Sequence, residues 1–319
     1  MRCFSGFSPR GADGKNAKLR CNLPRFCYLI RVPDPSLLLL IPAYNEESRI
    51  EPVLRDFASH FAANYSGKYQ ICVVLNGCRD NTLGVVQKVA QEFPALAWLN
   101  YPDPIGKGGA LIEGLKLAMQ ADLIGYVDAD GATSPTAFLN VVHQLGDSDC
   151  VVGSRWLPGS VLLLKQTRLR RFVSRCFHLI VETLFWMHIK DTQCPCKLLR
   201  REAAKKILPR LFITDLAFDV NLLVALKRVG CKVREVPIEW TDIVGSKVTS
   251  SLFRASMAMF LSVVRVRLIY SPFYEWLRPL RPLEIWIYKK LRAPRPLSES
   301  ERSKKLSQKV QKANQKKLP

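Results

Sequence analysis

Two aspartates one residue apart, Asp128 and Asp130 in "YVDADGATSP", close an apolar run in a chain whose formal net charge is +21. In an extended chain, side chains two positions apart project to one side, so these carboxylates share a face. Held together they repel each other until a cation or a donor neutralises them. Hard oxygens beside an open cleft suit Mg²⁺ or Mn²⁺, whose coordination shell is readily completed by phosphate oxygens. The pair therefore predicts a divalent-metal site that receives a phosphorylated ligand. Two further polar loops follow apolar runs in the same way, "PAYNEE" after "SLLLLI" and "NGCRDN" after "QICVVL".

Those loops need elements to hold them. "SLLLLIPAY" is a short continuous apolar run ended by Pro42, the pattern of a strand buried on both faces. Helical spacing follows over 48–61, then a strand at 70–75, a helix from about 81 to 93 and a short strand around "AWLNY". "GKGGALIEGLKLAMQ" (106–120) opens with glycines and continues at helical spacing, and "DLIGYVDAD" and "CVVGSR" (150–155) read as strands. The alternation predicts an α/β fold, an open and mostly parallel sheet with helices on both faces. Such sheets bind ligands beyond the carboxyl ends of their strands, where all three polar loops fall.

After residue 155 the pattern changes to a basic helix (about 165–188), a Cys-rich turn, a helix near 201–208, the helix "LAFDVNLLVALKRVG" and the strand "KVREVPIEW". From Phe253 to Tyr270 the spacing is amphipathic, with Met257, Leu261, Val264 and Leu268 on one stripe and Arg254, Arg265 and Arg267 among the rest. That stripe suits packing on the core or lying on a membrane surface. "SPFYEWLRPLRPLEIWIYKKL" then mixes aromatic and basic residues as a bilayer interface does. The expected organisation is a basic extension at 1–35, a main domain at 36–250, amphipathic interfacial helices at 251–292 and a basic disordered tail at 293–319.

The positive charge is concentrated at the ends. Residues 1–34 carry a net +5 and residues 289–319 a net +9, which leaves +7 for the 254 residues between. Segments such as "SKKLSQKVQKANQKK" have little to bury, so they read as solvated tails or as attractors of anionic headgroups. Nucleic-acid binding is not expected, because the lysines lie in tails and no aromatics interleave with them on a binding strand. The ten cysteines, in a chain whose first twenty residues hold no apolar signal core, read as reduced cytosolic thiols. No window of eighteen residues is apolar and uncharged, so no spanning helix is expected, and the predicted location is cytoplasmic and peripheral to a membrane.

The ordered series "IPAYNEE", "NGCRDNT", "GKGGA", "DADGAT", "VVGSR", "KDTQCPCK", "LAFDVNLL" and "PIEWTDIVGSK" resembles the inverting family 2 glycosyltransferases of GT-A fold over roughly residues 36–270. Within them it is similar to the dolichyl-phosphate β-glucosyltransferase group and its polyprenyl-phosphate mannosyl cousins. The resemblance implies a Rossmann-like sheet, UDP-glucose as donor and a polyprenyl phosphate as acceptor. It places Pro42, Tyr44 and Glu46 at the uridine and ribose, and Lys107 at the base or diphosphate. Asn76 stands where such enzymes commonly carry an aspartate, with Leu75 in place of another; an amide oxygen there still accepts a base proton. Asp128 and Asp130 become the donor and metal pair. Ala132 offers no third ligand, which leaves water or Thr133.

A sugar leaving a nucleoside diphosphate needs the growing negative charge stabilised, and an ionised phosphate acceptor needs orientation more than a strong base. Arg155 in "GSR", Arg168 and Arg171 on the basic helix, and Lys247 in "GSK" are the cations expected to grip that acceptor. Asp191 and Asp219 match acid positions of the family and compete for a base or sugar-orienting role. Asp219 is expected on the acceptor side as a catalytic group, the alternative being an N-cap or helix-packing carboxylate, and Gln193 on a sugar hydroxyl. A soluble transferase for a small acceptor, a nucleic-acid-binding module and a nucleotide-sugar sensor are the alternatives.

Overall fold

The computed structural model describes residues 34–117, 121–162, 168–241 and 252–272, with Trp276 and Pro279. Side chains in the opening turns of the helices that begin at 168 and 252 are not among those described. Lys247 and the two basic ends lie outside the described residues.

The centre is a seven-stranded sheet in the order β3-β2-β1-β4-β7-β5-β8. Its strands are β1 (Leu37–Ala43), β2 (Tyr69–Asn76), β3 (Leu96–Tyr101), β4 (Leu123–Tyr126), β5 (Cys150–Ser154), β7 (Lys197–Arg200) and β8 (Val233–Pro237). A separate pair, β6 (Val161–Leu162) and β9 (Glu239–Trp240), runs parallel. All neighbours in the large sheet are parallel except β7, which runs antiparallel between β4 and β5.

The continuous apolar run of β1 is explained by its two buried faces. Leu37, Leu39 and Ile41 pack with α1 (Ile50–Asn64), α2 (Thr82–Glu92) and α4 (Pro135–His143). Leu38 and Leu40 face the other side, toward α3 (Gly106–Lys116), α6 (Arg201–Ile207) and α7 (Phe218–Arg228). The period-two alternation of a strand thus divides one run between two cores. The sequence reading did not single out α4, which starts where the Ser134 hydroxyl accepts the Ala137 N–H at 3.1 Å and Pro135 opens the first turn.

Two expectations change. The Cys-rich turn contains β7, whose four residues are too few to show a period and begin with a lysine. The second concerns α8 (Leu252–Ile269), which meets α5 (Arg168–Phe185) and α7. Among its described side chains the buried ones are Ser262, Val263 and Val266, while Leu268 of the expected stripe is 38% exposed. Apolar residues occupy more than one face of α8, and the location of its neighbours selects which one packs. No helix among the described residues is long and apolar enough to cross a membrane.

Candidate active site

The carboxyl ends of β1, β2, β4 and β5 present the polar loops that the sequence singled out. After β2, the Asn76 Oδ1 accepts the backbone N–H groups of Ile105 and Gly106 at 2.7 and 2.9 Å. Both acceptor directions of that oxygen are engaged, so the base-accepting role expected of it is replaced by one inside the chain: it caps α3 and fixes the "GKGG" turn. Gly106 has φ +82°, and a side chain there would run into the Thr214 carbonyl. Gly108 faces the Ile213 carbonyl and the Phe218 side chain, at 2.5 and 2.7 Å from where a Cβ would stand. Glycines are required because α3 lies directly against 213–218.

That contact delivers Lys107 to the end of β4, where its Nζ lies 2.6 Å from the Asp128 Oδ1. Their side chains are 21% and 31% exposed, which leaves both reachable by a ligand. Burial alone would lower the Lys107 ammonium, but the charges of Asp128, Asp219 and Asp130 raise it above its usual value. Burial pushes the Asp128 carboxyl up; Lys107 opposes this and the Asp130 charge adds to it. Asp130 accepts the Ala132 N–H at 3.0 Å, closing a tight loop. Repulsion between the two carboxylates is what a divalent cation would relieve. Close by in the chain, the Thr133 hydroxyl is buried and finds no partner among the described residues. Two hard carboxylates and an orphaned hydroxyl fit Mg²⁺ or Mn²⁺, with remaining positions for diphosphate oxygens or water.

Nearer the chain's start, the Glu46 carboxylate pairs with Arg49, its Oε2 2.9 Å from Nε, and the Glu46 N–H donates to the Thr82 hydroxyl at 2.9 Å. Pro42 and Tyr44 lie at the same edge of the sheet, half-buried.

Past β5, Arg155 and Asp191 bind each other. The Arg155 backbone N–H, Nε and Nη2 donate to the Asp191 carboxylate at 3.0, 2.7 and 2.9 Å. Burial by itself would raise the Asp191 carboxyl, yet the Arg155 charge and hydrogen bonds hold it below the usual carboxylate value. Glu235 on β8 fixes the loop by accepting the N–H groups of Lys190 and Asp191, both at 2.9 Å. The guanidinium lies over the Trp240 ring, 5.1 Å from its centroid. The Gln193 Nε2 is buried with no partner among the described residues. Arg168 and Arg171 open α5, where only the helical backbone is described.

Asp219 is placed differently from expectation. It is buried in the first turn of α7, and its Oδ1 accepts both the Tyr126 hydroxyl and the Lys197 ammonium at 2.5 Å. This is an anchor beneath the site, not an open base on the acceptor side. Sequence reasoning missed Lys197, Tyr126, Glu235 and Trp240. Only Tyr126 carried a signal, as a member of the apolar run that leads into the Asp128–Asp130 loop.

Residues 39–208 match the model for glycosyl transferase family 2. The chain belongs to this family. The glycosyltransferase is 36% identical over 247 residues to the dolichyl-phosphate beta-glucosyltransferase of Dictyostelium discoideum, covering 73% of this chain and 74% of that one. A dolichyl-phosphate beta-glucosyltransferase of Trichomonas vaginalis is 34% identical over 242 residues, or 72% and 70% of the two chains. Among solved structures, glucosyl-3-phosphoglycerate synthase from Mycobacterium tuberculosis in complex with Mn²⁺, UDP-glucose and phosphoglyceric acid aligns with a TM-score of 0.55 at 19% identity, covering 75% and 82%. That likeness is one of fold, and the GT-A architecture expected of the glycosyltransferase holds.

Proposed function

We propose that this glycosyltransferase moves glucose from UDP-glucose to a polyprenyl phosphate of the dolichyl type, working peripherally at the cytosolic face of a membrane. The observation that carries the reading is the arrangement of charge. Lys107 and the Asp128–Asp130 pair suit a nucleoside diphosphate, and Arg155, locked by Asp191, suits a second phosphate. The names of the curated relatives supply glucose and the dolichyl acceptor.

An acceptor phosphate oxygen, ionised at neutral pH, attacks the anomeric carbon from the face opposite the diphosphate. The new C–O bond forms as the bond to UDP breaks, and the bonding pair leaves on the diphosphate. The anomeric centre inverts, and no proton need leave the nucleophile. Asp128 and Asp130 would hold the divalent cation, which when bound supplies Lewis-acid stabilisation of the leaving group. Lys107 adds a positive charge beside the same carboxylates. Arg155 orients the acceptor, with Arg168, Arg171 and Lys247 as further cations for it. Pro42, Tyr44 and Glu46 remain assigned to the nucleoside, and Gln193 to a sugar hydroxyl.

Membrane attachment is supported by exposed apolar side chains on neighbouring helices. Leu179 and Trp186 at α5 are 63% and 68% exposed, and Phe260 and Leu268 on α8 are 36% and 38% exposed. A groove of about 360 Å³ beside them is lined by Trp186, Met187, Lys227, Arg228 and Arg267 among others, the mixture that an anionic bilayer attracts.

A divalent-dependent assay with a panel of radiolabelled nucleotide sugars tests the reading, with dolichyl phosphate and phosphoglycerate offered in separate reactions. UDP-glucose should give a lipid-linked product. Transfer to phosphoglycerate alone would favour a soluble enzyme for small acceptors, and no lipid product from any donor would overturn the acceptor assignment.

A further inference from the structure

Lys197 is wholly buried, with a side-chain exposure of 0%. β7 enters the sheet at this residue, in register with Tyr126 of β4 on one side and Val152 of β5 on the other. An ammonium has three protons to place. Here they meet the Asp219 Oδ1 at 2.5 Å, the Cys194 carbonyl at 2.6 Å and the Thr192 carbonyl at 3.3 Å. The same Asp219 oxygen receives the Tyr126 hydroxyl, and Lys197 Nζ stands 5.6 Å from the centre of the Tyr126 ring.

Tyr126 and the two carbonyls belong to opposite halves of the site. Tyr126 is two residues before Asp128, on the strand that carries the donor carboxylates. Thr192 and Cys194 follow Asp191, which holds Arg155. A fastener needed only for stability would be served equally well by apolar packing, since replacing a buried ion pair with hydrophobic residues is often neutral. What apolar packing cannot do is fix two carbonyls and a hydroxyl in direction at once.

We propose that Lys197, through Asp219, is a positioning residue that registers the acceptor arginine against the donor carboxylates. The proposal rests on the glucosyl transfer described above. In an in-line displacement the two substrates must meet at one carbon, and a misplacement of about 1 Å can cost about 100-fold in rate.

The test uses the full chain with two variants: the charge-neutral double change Lys197→Met with Asp219→Asn, and Tyr126→Phe, which deletes a single hydroxyl. Three quantities are read: Mn²⁺-dependent UDP affinity by calorimetry, UDP-glucose hydrolysis without acceptor, and kcat for transfer to dolichyl phosphate. In the double variant kcat should fall about 100-fold and UDP affinity and hydrolysis far less. Tyr126→Phe should lower it about tenfold in the same pattern. Parent-like transfer in Tyr126→Phe overturns the proposal, as does a parallel fall of transfer, hydrolysis and UDP binding. If the double variant does not fold, Tyr126→Phe decides alone. A parent that hydrolyses UDP-glucose yet makes no lipid-linked glucose sinks the acceptor reading, and this role with it; a transferring parent matched by its variants sinks this role only.

Discussion

Replacing Asp191 by Asn isolates the Arg155–Asp191 pair. The carboxylate takes three donors from Arg155 and also the Gln193 N–H at 3.3 Å. Its side chain is 1% exposed and that of Arg155 is 13% exposed, so solvent screens the pair weakly. Asn preserves the shape and one acceptor oxygen, but it turns a donor toward the guanidinium and removes the charge. Breaking a buried pair by removing one partner costs about 3–5 kcal/mol. The retained oxygen and the Trp240 ring under Arg155 place this case at the lower end, about 3 kcal/mol. For a domain of this size that corresponds to a fall in melting temperature of about 6–12 °C. The pH dependence carries the sign. Asp191 is held below its ordinary 3.8 in the folded chain, so its contribution is complete above the unfolded value and is lost as pH falls through the lower, folded one. Melting followed by circular dichroism should give a parent–variant gap that is constant from about pH 5 to 8 and narrows below about pH 4. A variant melting with the parent at pH 7, or a gap unchanged at about pH 3, would refute the reasoning.

Three other perturbations address separate parts of the molecule. Asp130→Ala should leave melting nearly unchanged and cut divalent-dependent transfer by about 100-fold or more; unchanged transfer with metal present would remove Asp130 from the metal site. Gly106→Ala forces a side chain at φ +82° against the Thr214 carbonyl, and should cost about 2 kcal/mol in urea unfolding and weaken UDP binding through Lys107. Trp186→Asp, at a site 68% exposed, should reduce sedimentation with vesicles containing phosphatidylserine while a water-soluble donor is still bound; equal sedimentation would exclude this face from membrane contact.

The inner parallel strands β1, β2, β4 and β5 were readable because they are buried on both sides and so appear as unbroken apolar runs, as in Leu37–Ile41. The Asp128–Asp130 pair was readable as two carboxylates two positions apart just past an apolar run. Both stand beyond the end of β4 at Tyr126, Asp130 in a turn, so a shared strand face does not set their geometry. The loops after β1, β2 and β4 followed, since a parallel sheet delivers the carboxyl ends of its strands to one edge. The face of α8 was not readable, because several of its faces carry apolar residues and only the neighbouring helices distinguish them.

What sequence by itself determined here is local: the alternation of strands and helices, the carboxylate pair and the motifs that place the chain in its family. Tertiary structure alone decided which polar groups bind each other. Arg155 and Asp191 are 36 residues apart, Lys197 and Asp219 are 22 apart, and Tyr126 and Asp219 are 93 apart. Asp191, Lys197 and Asp219 would each suit a ligand as well as a partner. Burial makes the difference, because a charge withdrawn from water must find its opposite within the fold.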